Sequence, residues 1–219
     1  MTTLVEEGDD AKSQGLYQLE PYLFLSAHYP TKNASTLKKY HITTIINVSN
    51  ASDQIPTASL CAEFNIVYRP IKDDAMVNII PTVKSLSLFM HESLKASKAD
   101  KKKEIFLVHC NAGQSRSVSV VLAFYISYCQ MSLKDAYTKV KSVKSDIGPN
   151  IGFMSQLCEL EKATLNCETS SFDMKCYKIE LLSRTFSQMK EEDIVKILEE
   201  NQWDLERSQE KIFSTFLEN

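Results

Sequence analysis

Only seven residues, NAGQSRS, separate an apolar strand candidate, IFLVHC at Ile105–Cys110, from an apolar helix candidate, VSVVLAFYISYC at Val118–Cys129. Both segments are apolar enough to require covering on every side, so the pair predicts a buried strand–turn–helix unit. The elements around it alternate in the same way. Leu16–Ser26 (LYQLEPYLFLS) reads as two short strands turned at Glu20-Pro21, and Asn33–Tyr40 has helical spacing. The β-branched runs at His41–Ser49 and Phe64–Ile71 read as buried strands. Pro81–Leu94 is an amphipathic helix opened by proline, and the lysine-rich run Lys95–Glu104 reads as a solvated loop. Two more helices follow, near Ser132–Ser145 and Asn150–Leu165. Strands alternating with helices predict an α/β fold with a central, mainly parallel sheet flanked by helices.

Domain boundaries follow from changes in pattern. Residues 1–14 are polar and aperiodic and read as a disordered lead, followed by a domain over 15–166. A polar linker at 167–177 leads to a helical segment at 178–219, whose apolar positions (Leu181, Leu182, Phe186; Ile194, Ile197, Leu198; Trp203, Leu205, Ile212, Phe213, Phe216) predict three short helices. Glu191, Glu192 and Asp193 suit the start of the second helix, Asn201 its end and Asp204 the start of the third.

The loop VHCNAGQSRS at Val108–Ser117 carries the chemistry. A strand that ends where a helix begins presents successive backbone N–H groups and the positive end of the helix to one point, which makes an anion site. The N–H groups of Asn111, Ala112, Gly113, Gln114, Ser115 and Arg116 are placed to curl round one phosphate. Gly113 permits a backbone conformation that a side chain would obstruct. Arg116 supplies a planar fork for two phosphate oxygens. The same positive environment favours the thiolate of Cys110, a nucleophile set for in-line attack on phosphorus. Ser117 donates to the sulfur and helps it leave, while His109 shapes the loop. A carboxylic acid must protonate the leaving oxygen, and Asp73 and Asp74 in RPIKDDAM stand just past a strand end.

The motif HCNAGQSRS resembles the HCxxGxxRS signature of the dual-specificity subgroup of protein tyrosine phosphatases. The likeness extends over about residues 16–165, through LFLSAHYPTKNASTLKKYHITTIINVS and PNIGFMSQL. It implies the protein tyrosine phosphatase fold, a reaction without metal or other cofactor, and a shallow site for phosphotyrosine and phosphoserine/threonine in phosphoprotein substrates. It also favours Asp73 over Asp74 as the acid. Phosphoinositide-directed relatives carry lysines inside this loop, where this chain has Asn111, Gln114 and Ser115. Two alternatives stand beside an active protein phosphatase. One is a catalytically silent adaptor that binds phosphoproteins; the other is a phosphatase of a non-protein substrate such as RNA. The tail, with its ILEENQWDLERS core, resembles a ubiquitin-associated-like helical domain, which implies ubiquitin or a short Phe-Gly segment as partner.

Composition adds exclusions. The net charge of −3 is too small to argue for nucleic acid or a membrane surface as partner. Residues 168–219 hold 7 Lys+Arg against 12 Asp+Glu, leaving the rest mildly basic at 18 against 16. The six cysteines form no CxxC and have no histidine cluster beside them, so no zinc site is expected. Cys129, in the apolar helix, is expected to be buried. With no signal region and no apolar run near ~18 residues, the expected location is cytoplasmic, nuclear or both, with reduced thiols.

Overall fold

The computed structural model describes residues 10–50 and 57–217, and the side chains of 215–217 lie outside the description. The chain divides into two units, Met1–Ser171 and Phe172–Asn219.

The first unit is built on a five-stranded sheet, β1 (Leu16–Glu20), β2 (Leu23–Ser26), β3 (Thr44–Asn47), β4 (Asn65–Tyr68) and β5 (Phe106–His109). Its strand order is β1-β2-β5-β3-β4. Only β1 and β2 are antiparallel, joined by the tight turn at Pro21; β2, β5, β3 and β4 run parallel. The sequence explains the order. Every residue of LFLS, FLVH and TIIN is buried, as interior strands require. NIVY, by contrast, takes the edge with its first residue exposed and the rest half-buried, so the second predicted strand is shorter and less buried than its composition suggests.

The strand period of two sends Ile45 and Leu107 to one face, where Leu37, Tyr40 and Phe64 close the core. Phe106 and Val108 take the other face, with Phe89 set edge-on to Phe106 at 6.1 Å between ring centroids. Helices α1 (Ala34–Lys39) and α2 (Ala58–Glu63) precede β3 and β4, and α3 (Ile80–Ala99) precedes β5. After β5 come α4 (Arg116–Cys129), α5 (Leu133–Val143) and α6 (Ile151–Leu165). Helix α4 is the hub of that layer. It packs against α3, α5 and α6, and all of its residues from Arg116 to Ile126 are buried.

Several expectations change. Residues 95–99 continue α3 because lysine and alanine are good helix formers, so only the end of the Lys95–Glu104 run is loop. Cys129 is exposed, since it stands at the last turn of α4, beyond the covered stretch. The expected disordered lead lies largely outside the described residues, but residues 10–13 form a helical turn. There Ala11 is buried and Asp10 accepts hydrogen bonds from Lys39 Nζ and Tyr40 Oη, at 2.5 Å each.

The second unit has three helices, α7 (Met174–Thr185), α8 (Glu191–Glu200) and α9 (Leu205–Leu217). Its core is Leu182, Phe186, Ile194, Leu198 and Ile212. Helix α7 begins inside the stretch expected as linker, with Asp173 capping the amides of Lys175 and Cys176 and with Tyr177 buried. Asn201 terminates α8, and Asp204 Oδ1 accepts the Arg207 amide at the start of α9.

Candidate active site

The loop between β5 and α4 is held by its own backbone and by the neighbouring strand. Gly113 has φ +69°, and a Cβ placed there would stand 2.6 Å from the Ser26 carbonyl oxygen and 2.9 Å from the Ala27 nitrogen. Only glycine lets the loop lie so close to the end of β2. The His28 amide, just beyond, donates to the Asn111 carbonyl at 3.0 Å. Helix α4 has no side-chain N-cap, because the Ser115 hydroxyl is turned elsewhere, so its first amides stay directed into the loop.

Cys110 sits at the floor, 1% exposed, with its Sγ 3.2 Å from Ser117 Oγ. Gly113, Ser115, Arg116 and Ser117 are buried around it, Gln114 is half-buried, and Asn111 and Ala112 face solvent. Arg116 is 5% exposed, and its Nη1 donates to Asn50 Oδ1 at 2.7 Å and to the Ile71 carbonyl at 3.3 Å. Its Nε lies 3.3 Å from Asp73 Oδ2 but makes no aligned hydrogen bond among the described residues. A buried guanidinium with one N–H group lacking an aligned partner is suited to an incoming oxyanion.

The two candidate acids have different surroundings. Asp73 Oδ1 accepts from Ser115 Oγ at 2.7 Å and from Asn150 Nδ2 at 2.8 Å, which ties it to the loop. Asp74 instead pairs with Lys72 Nζ at 2.8 Å and accepts the Met76 amide at 3.0 Å. The Lys72 hydrogen bond, aided by the Met76 amide, holds the Asp74 carboxyl below its usual range. The strand end thus delivers both carboxylates, and the turn after it sends only Asp73 to the cysteine loop.

Asn150, Gln156 and Gly152 of the α6 segment fix that turn, a function the sequence reading did not assign them. The Asn150 amide donates to Ser115 Oγ at 3.1 Å while its side chain caps α6 through the Phe153 amide at 2.9 Å. Gln156 Nε2 donates to the Val77 carbonyl and its Oε1 accepts the Ile79 amide, both at 2.8 Å. A Cβ on Gly152 would stand 2.0 Å from the Ala75 carbonyl oxygen, so the helix and the turn meet backbone to backbone. The Asn-cap signal in PNIGF marks the helix start, but nothing local signals a partner 77 positions away. Asn50 has no sequence signal at all.

His109 is buried, with its ring 5.7 Å from that of His28. Burial pushes the imidazole down to about 4, against an opposing hydrogen bond with the Cys110 backbone, and the nearby His28 adds to the depression. It is therefore neutral at pH 7. Among the described residues, no three His, Cys, Asp or Glu side chains come together as metal donors, and no helix is long and apolar enough to cross a membrane.

The family model of the dual specificity phosphatase catalytic domain matches residues 23–163. The chain is 39% identical over 147 residues to dual specificity protein phosphatase 7 of Homo sapiens, covering 66% of this chain and 33% of that protein. It is 35% identical over 156 residues to the human dual specificity protein phosphatase 6, covering 69% and 38%. It thus spans about a third of the length of these curated relatives. The crystal structure of the human tyrosine phosphatase-like serine/threonine/tyrosine-interacting protein superposes with a TM-score of 0.61 at 30% identity, covering 68% of this chain and 97% of that one. The family match ends before the second unit, whose likeness to ubiquitin-associated domains rests on sequence alone.

Proposed function

The chain belongs to the dual specificity phosphatase family, and from that premise we propose that it hydrolyses phosphotyrosine and phosphoserine/threonine in proteins through a cysteinyl-phosphate on Cys110. The observation that carries this is the convergence of Cys110 Sγ, Ser117 Oγ, the buried Arg116 and the loop-bound Asp73 on one turn.

The phosphate monoester enters the loop with its oxygens on the amides of residues 111–116 and on Arg116. The Cys110 thiolate attacks phosphorus, forming the S–P bond as the P–O bond to the leaving group breaks. Asp73 gives its proton to the departing oxygen, so an alcohol or phenol leaves neutral. The resulting Asp73 carboxylate then takes a proton from water as that water attacks phosphorus. The S–P bond breaks, the electron pair returns to sulfur, and the Ser117 hydroxyl supports the thiolate with a hydrogen bond. Asn50 and Ile71 keep the Arg116 plane fixed through both steps, and Asn150 keeps Asp73 at the loop. Six cysteines, none paired in a disulfide, and a nucleophilic thiol support a reducing cytoplasmic or nuclear setting. For residues 178–219 the reading is a partner-binding module for ubiquitin or a short Phe-Gly segment, supported by its sequence likeness and by its half-exposed Phe213.

Hydrolysis of a small aryl phosphate and of phosphotyrosyl and phosphothreonyl peptides, without added metal, tests the reading. Cys110→Ser should be inactive, and Asp73→Asn should lose roughly 10²–10³ in kcat while Asp74→Asn stays within a few-fold. An inactive intact chain that still binds phosphopeptides would make it an adaptor. Equal losses in the two aspartate variants would overturn the assignment of the acid.

A further inference from the structure

A second carboxylate, Asp146, stands against the phosphate loop. Gln114 Nε2 donates to Asp146 Oδ2 at 2.9 Å, and the Gln114 carbonyl accepts the Gly148 amide at 2.9 Å. The 146–148 turn therefore grips the middle of the loop by both a side chain and the backbone. A bare carboxylate beside a site for a phosphate dianion would oppose binding by Coulomb repulsion.

Lys144 answers that charge. Its ammonium donates to Asp146 Oδ1, and its side chain is 3% exposed while that of Asp146 is 50% exposed. The same ammonium lies 5.1 Å from the centre of the Tyr17 ring, a position a cation favours. Burial raises the Asp146 carboxyl, but hydrogen bonds from Lys144 and Gln114 outweigh it and hold the group below its usual range. A lysine this buried loses most of its hydration, so its charge has to be matched by a fixed partner. Asp146 is that partner and is at the same time the acceptor for Gln114.

We propose that Asp146 is a positioning residue of the phosphate loop, and that Lys144 is the counter-charge that lets a carboxylate hold Gln114 without repelling the bound phosphate. The pair then sets the affinity of the loop for phosphate and leaves the acid step to Asp73. This rests on the catalytic reading above only for its kinetic arm, because phosphate binding is measurable without turnover.

The test is the affinity of orthophosphate for the full chain, by direct titration and as a competitive inhibitor, with the melting temperature of each variant as the check on folding. Asp146→Ala and Lys144→Met should each weaken orthophosphate about 5- to 10-fold, with KM raised accordingly and kcat changed little. Asp146→Asn, which keeps one acceptor for Gln114 but turns its amide N–H toward Lys144, should weaken orthophosphate less than Asp146→Ala does. Adding Asp146→Asn to Lys144→Met should restore most of the loss, because the uncompensated carboxylate is gone. Folded Asp146→Ala and Lys144→Met variants with unchanged orthophosphate affinity would overturn the proposal. So would a fall in kcat alone, which would place Asp146 in the proton-transfer step. If the intact chain binds orthophosphate without hydrolysing esters, the catalytic reading fails and the binding series still decides this proposal.

Discussion

Replacing Gly113 by alanine puts one carbon against the backbone at the end of β2. The residue sits at φ +69°, where an L side chain costs about 1–2 kcal/mol in backbone energy. The added Cβ also meets the Ser26 carbonyl oxygen at 2.6 Å, the Ser26 carbonyl carbon at 2.7 Å and the Ala27 nitrogen at 2.9 Å. These are backbone atoms at the end of an interior strand and cannot rotate aside, so overpacking adds about 1–3 kcal/mol. The sum, about 2–5 kcal/mol, lowers the melting temperature of a unit this size by roughly 5–15 °C. Gly15→Ala is the control, because Gly15 has φ +76° but its Cβ would meet only the Pro30 ring carbon, at 3.0 Å. It bears the backbone cost with little steric cost, so it should lose about 1–2 kcal/mol and keep full turnover. Thermal and urea unfolding of both variants, with aryl phosphate turnover alongside, separates the two terms. The reasoning is refuted if Gly113→Ala melts no lower than Gly15→Ala, or if it hydrolyses substrate as well as the parent.

Two further predictions concern buried titratable groups. Glu161 is 1% exposed, and its carboxylate accepts the Leu133 amide at 2.8 Å and the Ser171 amide at 3.0 Å, with the hydroxyls of Ser170 and Ser171 at 2.5 Å each. Glu161→Ala strands those donors and should cost about 3 kcal/mol in urea unfolding, whereas a loss under about 1 kcal/mol would show that water replaces the carboxylate at no cost. His109 is lowered from 6.5 to about 4 in the folded chain, so between those pH values the unfolded chain binds the extra proton. Stability from this residue is complete above pH 6.5 and falls as pH drops toward 4, by about 2 kcal/mol between pH 7 and pH 5. His109→Gln should flatten that part of the stability curve, and an unchanged slope would sink the assignment.

The sequence by itself determined whatever depends on neighbours along the chain. An apolar strand, a seven-residue turn and an apolar helix are enough to create a loop whose amides, cysteine, glycine and arginine share one anion, because all of them lie within ten consecutive residues. The alternation of strands and helices likewise carried the parallel sheet, and the spacing of apolar residues carried the three C-terminal helices. Helix ends and partial burial were less legible. The Lys95–Ala99 extension of α3 follows helix propensity that the charge of the run masked, while the exposure of Cys129 depends on where neighbouring elements stop, which no local pattern records. The resemblance favoured Asp73 over Asp74, and the tertiary structure ties Asp73, and not Asp74, to the cysteine loop. Asp73 and Asp74 have the same chemistry, and the choice between them is made by Ser115 and Asn150, 42 and 77 positions away. The same holds for Asn50, which fixes Arg116 from 66 positions away, and for the Lys144–Asp146 pair behind Gln114. Such contacts are written in the packing of α6 and the strand ends against the loop, and a hydrogen bond between distant segments has no signature along the chain until the fold brings its ends together.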